Sequence, residues 1–118
     1  MKLQVFGESL ISHYLQLQGV RIIGRNIYCK PYGEIDILCV WKQYLLCIEV
    51  KTRLLHSIEH EPRSPPITQY KTAKLQRALN QYIMSHRRYS YLQKLCVGYI
   101  VYIHKGSHNC SIQRVLLC

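Results

Sequence analysis

The chain has 118 residues, with 16 Lys and Arg against six Asp and Glu, a formal net charge of +10. Its hydrophobic content of 48% excludes a disordered polyelectrolyte, and the lack of a long uninterrupted apolar run excludes a membrane-spanning helix. One domain with a single core suits this length, and the excess of cations is the footprint of a polyanionic partner, nucleic acid before anionic lipid.

Leu3, Phe6, Leu10, Tyr14 and Leu17 recur at spacings of three and four, which predicts a helix over 4–17 with that face inward. Ile11 and Leu15 widen the face, and Glu8 falls at its edge. Gly19 then serves as a C-cap. "VRIIGRNIY" (20–28) predicts a strand, and "CKPYG" (29–33) a turn through Pro31 and Gly33. "EIDILCVW" (34–41) and "YLLCIEVKT" (44–52) predict two more strands, joined as a hairpin at Lys42-Gln43 without the Gly or Asn such turns favour. Apolar residues on both faces of the third strand make it central and covered on both sides.

"LLHSIEHEPRSPP" (54–66) holds three prolines and predicts a mobile loop. Thr68 is an N-cap for a helix running to about Arg88. Leu75, Ala78, Leu79, Tyr82 and His86 line one face of it; Lys74, Arg77, Gln81, Ser85 and Arg88 line the other. "LCVGYIVYI" (95–103) predicts a strand, "KGSHN" a turn and "SIQRVLL" a last short strand. This order predicts the α/β class with a mixed sheet. The first three strands form a meander, and the long helix carries the chain across to a non-adjacent position.

Cys39, Cys47 and Cys96 lie in apolar runs, where a free cysteine behaves as a small hydrophobe, and no CxxC pair points to a zinc ribbon. The opening residues carry scattered polar groups and no small-residue cleavage site. The expectation is no signal peptide, reduced cysteines and a cytoplasmic location. Cys110 and Cys118 remain a pair that an oxidising buffer could join.

Three of the six acids, Glu34, Asp36 and Glu49, fall in "GEIDILCVWKQYLLCIEVKTR" (33–53), the most apolar part of the chain. Residues i and i+2 of a strand share a face, so Glu49 and Lys51 project together beside Leu45 and Cys47. In a hairpin the start of one strand lies beside the end of the other, which brings Asp36 to Glu49 and Lys51. Glu34 reads as a solvent-exposed turn residue. Two close carboxylates repel, and one pKa rises unless a cation lies between them. A hard divalent cation, Mg2+ or Mn2+, takes carboxylates, carbonyls and water, which suits Asp36, Glu49 and the carbonyl of Val50. Such an ion polarises a phosphodiester and acidifies a bound water; Lys51 could orient or deprotonate that water, or neutralise phosphate charge. A strand-end salt bridge is the simpler reading of Glu49 and Lys51 alone. Buried ion pairs stabilise weakly, however, and Asp36 moves the balance toward a metal site.

An acid followed across a hairpin by Glu-x-Lys, and preceded by a Glu-bearing helix, resembles the PD-(D/E)xK nuclease superfamily. More narrowly, "FGESLISHYLQLQGVRIIGRN", "GEIDILC", "IEVKTR" and "SPPITQYKTAKLQRALNQYI", in that order, resemble the YraN-like uncharacterised protein family 0102, which is related to archaeal Holliday junction resolvases. The resemblance runs from Phe6 to about Val101. It implies a restriction-endonuclease-like α-β-β-β-α-β core, a central mixed sheet flanked by helices, in one nuclease-like domain over 1–118. It implies Asp36 and Glu49 as metal-binding acids, Lys51 as the catalytic lysine, and Glu8 as a further acid that reaches the metal. The chain departs from the pattern at Ile35, in place of the superfamily's proline, and at Gly98, where family members often carry an acid. Its last strand matches poorly.

Lys71 lies in the first turn of the second helix, where free N–H groups favour anions, and matches the lysine of the family's TxxK segment. Lys74 and Arg77 continue a basic stripe, with Arg53 and Arg63 flanking the site loop. All five are candidates to hold a DNA backbone. Tyr14, Tyr32, Tyr70, Tyr89 and Tyr91 are candidates to stack on unpaired bases. His56 with His60 and His104 with His108 have a four-residue spacing but lie in or beside loops, which argues against zinc. The expectation is a Mg2+- or Mn2+-dependent endonuclease acting on branched or single-stranded DNA, without a membrane partner. The resolvase analogy adds a homodimer. The alternative is a non-catalytic nucleic-acid-binding module of the same fold, and a third reading is an interaction protein with no nucleic-acid role.

Overall fold

The computed structural model describes residues 2–55, 67–106 and 109–118. The chain runs α1 (Leu3–Leu17), β1 (Arg21–Cys29), β2 (Gly33–Trp41), β3 (Tyr44–Leu55), α2 (Gln69–Ser85), a 3-10 turn at Arg87–Tyr89, β4 (Gln93–His104) and β5 (Cys110–Leu116). The strands form one sheet in the order β1-β2-β3-β4-β5. β1, β2 and β3 are an antiparallel meander, β4 runs parallel to β3, and β5 returns antiparallel at the edge. This is an α/β fold with a restriction-endonuclease-like core, extended by one edge strand.

β4 lies directly beside β3, paired from Tyr44↔Gln93 to Leu55↔His104, and not at a non-adjacent position. The reason is the crossover itself. A helix between two strands lets the second return parallel to the first, and packing on the same face draws it to the neighbouring place. α2 packs Leu75, Ala78, Leu79 and Ile83 onto Leu38, Leu45, Cys47 and Cys96. α1 packs Ile11 and Leu15 onto the other face, against Ile37, Ile48, Val50, Val97 and Val101. β3 is therefore central and covered on both sides, as its sequence implies.

α1 is turned away from the expected face. Gly7, Glu8, Ile11, Ser12 and Leu15 are buried, while Leu3, Phe6, Tyr14 and Leu17 are exposed. Close approach decides this rotation, more than the number of apolar side chains. Gly7 rests on the Thr52 side chain of β3, and a Cβ on Gly7 would collide with Thr52 Oγ1. Gly7→Ala is therefore expected to destabilise the protein by about 1–3 kcal/mol through overpacking. Urea unfolding measures this, and an unchanged midpoint would contradict the close contact.

Local chemistry accounts for the element ends. Gly19 sits at φ +85; Val20 N–H donates to Leu15 O and Gly19 N–H to Gln16 O, the paired bonds that close a helix through a left-handed residue. At the hairpin Lys42 takes φ +55, and its Nζ lies 4.5 Å from the Trp41 ring, which stacks on Tyr44. Thr68 Oγ1 caps α2 by accepting from Lys71 N–H at 3.1 Å. α2 ends at Ser85, three residues before the expected limit, because His86 leaves helical geometry (φ −134, ψ 67) and the 3-10 turn tucks Tyr89 into the core.

β3 extends through Leu55, so the first two residues of the expected loop are strand. Residues 56–66, with His56, His60 and Arg63, and residues 107–108, with His108, lie outside the described residues. All six cysteines are free. Cys110 cannot meet Cys118 within one chain. Cys110 pairs with Ile103 at one end of β4, whereas Cys118 bonds Cys96 near the other, about 23 Å away at the usual strand rise. No described helix is long and apolar enough to cross a membrane.

Candidate functional site

The site begins where β2 leaves regular pairing. The β2–β3 ladder stops at Ile37↔Ile48, and the β1–β2 ladder passes over Asn26 and Asp36, with Asn26 at φ +51. Ile35 packs on the α2 side and Ile37 on the α1 side, although residues two apart on a flat strand share a face. Asp36 thus sits at a twist in the backbone with no strand partner. Its Oδ2 accepts the Val50 N–H at 2.9 Å, which replaces a ladder bond and fixes the carboxylate between β2 and β3.

Glu49 follows Cys47 on the α2 side of β3 and is 2% exposed. Its Oε1 faces two cations, Lys51 Nζ at 3.7 Å and Lys71 Nζ at 3.8 Å. Its Oε2 is buried with no hydrogen-bond partner among the described residues. Burial, and then the charge of Asp36, push its pKa up to about 7 against the pull of Lys71 and Lys51. An orphaned carboxylate oxygen in a dry place is costly to the fold.

Glu8 arrives from α1, on the other face of the sheet, and is also buried. Burial and the charge of Asp36 raise its pKa, and a hydrogen bond to Gln4 partly offsets them. Gln4 Nε2 also donates to Val50 O at 2.8 Å, so α1 is fastened to β3 between Glu49 and Lys51. Asp36 is the common neighbour whose charge raises both other acids. Three carboxylates from three elements, half of the six in the chain, thus gather at one end of the sheet. Glu34 stands apart, exposed at the start of β2.

Among the described residues no three His, Cys, Asp or Glu side chains are placed to hold one metal ion together, so Glu8 does not join Asp36 and Glu49 as a third direct ligand. The pair Asp36 and Glu49 still suits a hard, mostly hydrated cation. Mg2+ keeps several waters and takes only one or two carboxylates, and Glu49 Oε2, without a hydrogen-bond partner among the described residues, is an oxygen such an ion could take. The Val50 carbonyl already accepts from Gln4, which leaves it one lone pair.

The basic residues divide into two groups. Lys71 belongs to the acidic cluster, since its ammonium reaches Glu49. Arg53 is exposed and follows Glu49 and Lys51 on the same face of β3, leading outward from the cluster. Lys74 lies half-exposed on α2 with its Nζ 5.6 Å from the Tyr70 ring, and Arg77 is exposed one turn further on. Tyr70 and Tyr91 are 74% and 81% exposed and free to stack. Tyr89 is not, being buried in the core, and Tyr14 sets its ring edge-on to Tyr99. Gly98 lies beside Glu49 in the β3–β4 register, and a Cβ there would collide with Ile67. An isoleucine side chain thus crowds the place where the resemblance to the nuclease pattern leads one to expect an acid.

Sequence reasoning missed Gly7, Gln4 and Asn26. A glycine directly before Glu8 on a helix otherwise free of breakers was the readable signal of a close approach.

The sequence is similar to the Uncharacterised protein family UPF0102, whose model matches residues 7–100. A UPF0102 protein of Syntrophotalea carbinolica is 36% identical over 82 residues, 70% of this chain and 64% of that protein. One from Syntrophomonas wolfei is 32% identical over 88 residues, 75% of this chain and 74% of that protein. One from Clostridium botulinum is 38% identical over 79 residues, 67% of this chain and 62% of that protein. The chain thus spans less than two thirds of the first and third of these relatives. The family match holds Glu8, Asp36, Glu49, Lys51 and Lys71, and it ends within β4.

Proposed function

Since the chain belongs to the uncharacterised protein family UPF0102, whose name assigns no activity, we propose from its site that it is a divalent-metal-dependent nuclease acting on DNA. One observation carries this reading: a buried Glu49 oxygen with no hydrogen-bond donor among the described residues, held against the Asp36 carboxylate in a chain of net charge +10. Burying three acids together stabilises a fold weakly at best, whereas a divalent cation would give the Asp36 and Glu49 carboxylates a partner of opposite charge.

Asp36 and Glu49 would hold the cation, with Glu8 adding negative charge from α1. Bound Mg2+ or Mn2+ would supply Lewis acidity to a phosphodiester oxygen and acidify a coordinated water. Lys51 is half-exposed beside Glu49, placed to orient the attacking water or to hold a phosphate oxygen. Lys71 balances Glu49 from α2. Arg53, Lys74 and Arg77, with Arg63 from the connecting segment, grip backbone phosphates, and Tyr70 stacks on an unpaired base. Branched or single-stranded DNA is the substrate class this stacking favours. Residues 1–118 act as one nuclease-like domain, in a homodimer where two strands must be cut. The free cysteines suit a reducing, cytoplasmic setting.

The test is cleavage of labelled duplex, single-stranded, flapped and four-way DNA with Mg2+, with Mn2+ or with chelator. Metal-dependent cutting of at least one substrate is expected. Binding without cutting, indifferent to divalent metal, would leave a non-catalytic DNA-binding module. A second expectation concerns affinity. Lys74→Ala and Arg77→Ala should each lower the slope of log K against log salt by about one, since each removes one phosphate contact. Unchanged slopes in fluorescence anisotropy would take α2 out of the interface.

A further inference from the structure

On the α2 side of the sheet, along the stretch of β3 that precedes Glu49, three cysteines come together. Cys47 and Cys96 are register partners on β3 and β4. Cys118 joins them through a bulge. Leu117 N–H and Cys118 N–H both donate to Cys96 O, at 2.9 and 3.3 Å, and Cys96 N–H donates to Cys118 O at 3.0 Å. Two residues then oppose one, and the extra residue turns Cys118 toward Cys96. Residues that exchange both backbone bonds have Cα atoms about 5.5 Å apart, inside the span a disulfide bridges.

The surroundings separate the three thiols. Cys96 and Cys118 line a cavity of about 390 Å3 together with Arg77, Lys94, Gln76 and Asn80. Cys47 is fully buried and has no place in that lining. The cavity admits a small polar molecule. Hydrogen bonding from Cys47 and from Cys118 holds the Cys96 thiol below its ordinary range, against the opposing effect of burial.

We propose that Cys96 and Cys118 are an oxidisable pair: a small hydroperoxide entering the cavity oxidises Cys96, and Cys118 closes a disulfide onto it. The Cys96 thiolate attacks one peroxide oxygen. An S–O bond forms, the O–O bond breaks, and the second oxygen takes a proton and leaves as water or an alcohol. Cys96 is then a sulfenic acid. The Cys118 sulfur attacks the Cys96 sulfur, an S–S bond replaces the S–O bond, and hydroxide leaves as water with the proton from the Cys118 thiol. Two thiols lose two electrons, and one peroxide gains two. The disulfide would tie the segment after β5 to β4. None of this depends on the nuclease reading.

Tryptic cleavage after Lys and Arg places Cys96 in 95–105, Cys118 in 115–118, Cys47 in 43–51 and Cys110 in 106–114, so each of these four thiols is read separately, while Cys29 and Cys39 share 26–42. Purified protein is treated with hydrogen peroxide in modest excess, blocked with an alkylating agent and mapped without reduction. The expected result is a 95–105 to 115–118 cross-link, with free thiols falling from six to four. In Cys118→Ser the Cys96 sulfenic acid should persist and be trapped by dimedone. A cross-link from Cys96 to Cys47, earlier oxidation of the exposed Cys110 than of Cys96, or no dimedone label on Cys96 in Cys118→Ser would overturn the proposal.

Discussion

Asp36→Asn is expected to lower divalent-metal-dependent DNA cleavage by about 10³-fold or more, without loss of fold. The asparagine oxygen can still accept the Val50 N–H that now bonds Asp36 Oδ2. What disappears is the negative charge that sits beside Glu49 and Glu8 and raises both their pKa values. Losing the Lewis acid at a phosphodiester removes several kcal/mol of transition-state stabilisation, and every 1.4 kcal/mol is about tenfold in rate. Lys51→Ala should cost about 10²-fold or more through lost positioning of water or phosphate, with metal binding kept. Single-turnover cleavage at saturating metal measures both. Equal rates in wild type and Asp36→Asn would place the chemistry elsewhere.

The second large effect is on stability and changes with pH. In the folded protein Glu49 titrates near 7, against an ordinary value of 4.5. The folded state therefore keeps a proton that the unfolded chain releases between these values. The stabilisation is complete below about 4.5 and is lost as pH rises through about 7. The difference corresponds to on the order of 3 kcal/mol. Glu8 is shifted in the same direction and adds to the trend. Metal-free Glu49→Gln should accordingly be more stable than wild type at pH 8 by up to that amount, and no more stable at pH 4. Mg2+ should stabilise wild type at pH 8 and leave Glu49→Gln unmoved. Urea unfolding across pH checks both. A wild-type stability flat from pH 4.5 to 8 would mean that Glu49 has a partner.

Much of the fold and the centre of the site could be read from the chain. The hairpin through Lys42-Gln43 was visible as two apolar runs around two polar residues, and i, i+2 geometry then put Glu49 with Lys51 and near Asp36. The missed features depend on contacts far apart in sequence. α1 shows a fuller apolar stripe on the side it leaves exposed, because Gly7 allows closer packing on Thr52 than Phe6 or Leu10 would. Lys71 was readable as a cation at a helix start, suited to a phosphate; only the docking of α2 beside β3 brings its ammonium to Glu49. The place of β4 next to β3 and the bulge at Leu117 and Cys118 are matters of register, which no local pattern carries. The family match ends at residue 100, before the edge strand β5, whose residues are mostly exposed.

Manganese binding followed by electron paramagnetic resonance tests the central claim most directly. The Asp36–Glu49 pair predicts one Mn2+ per chain in wild type, displaced by Mg2+, tighter as pH rises through 7, and absent from Asp36→Asn and Glu49→Gln. Wild type without bound Mn2+, or variants that bind it as well as wild type, would contradict the metal centre.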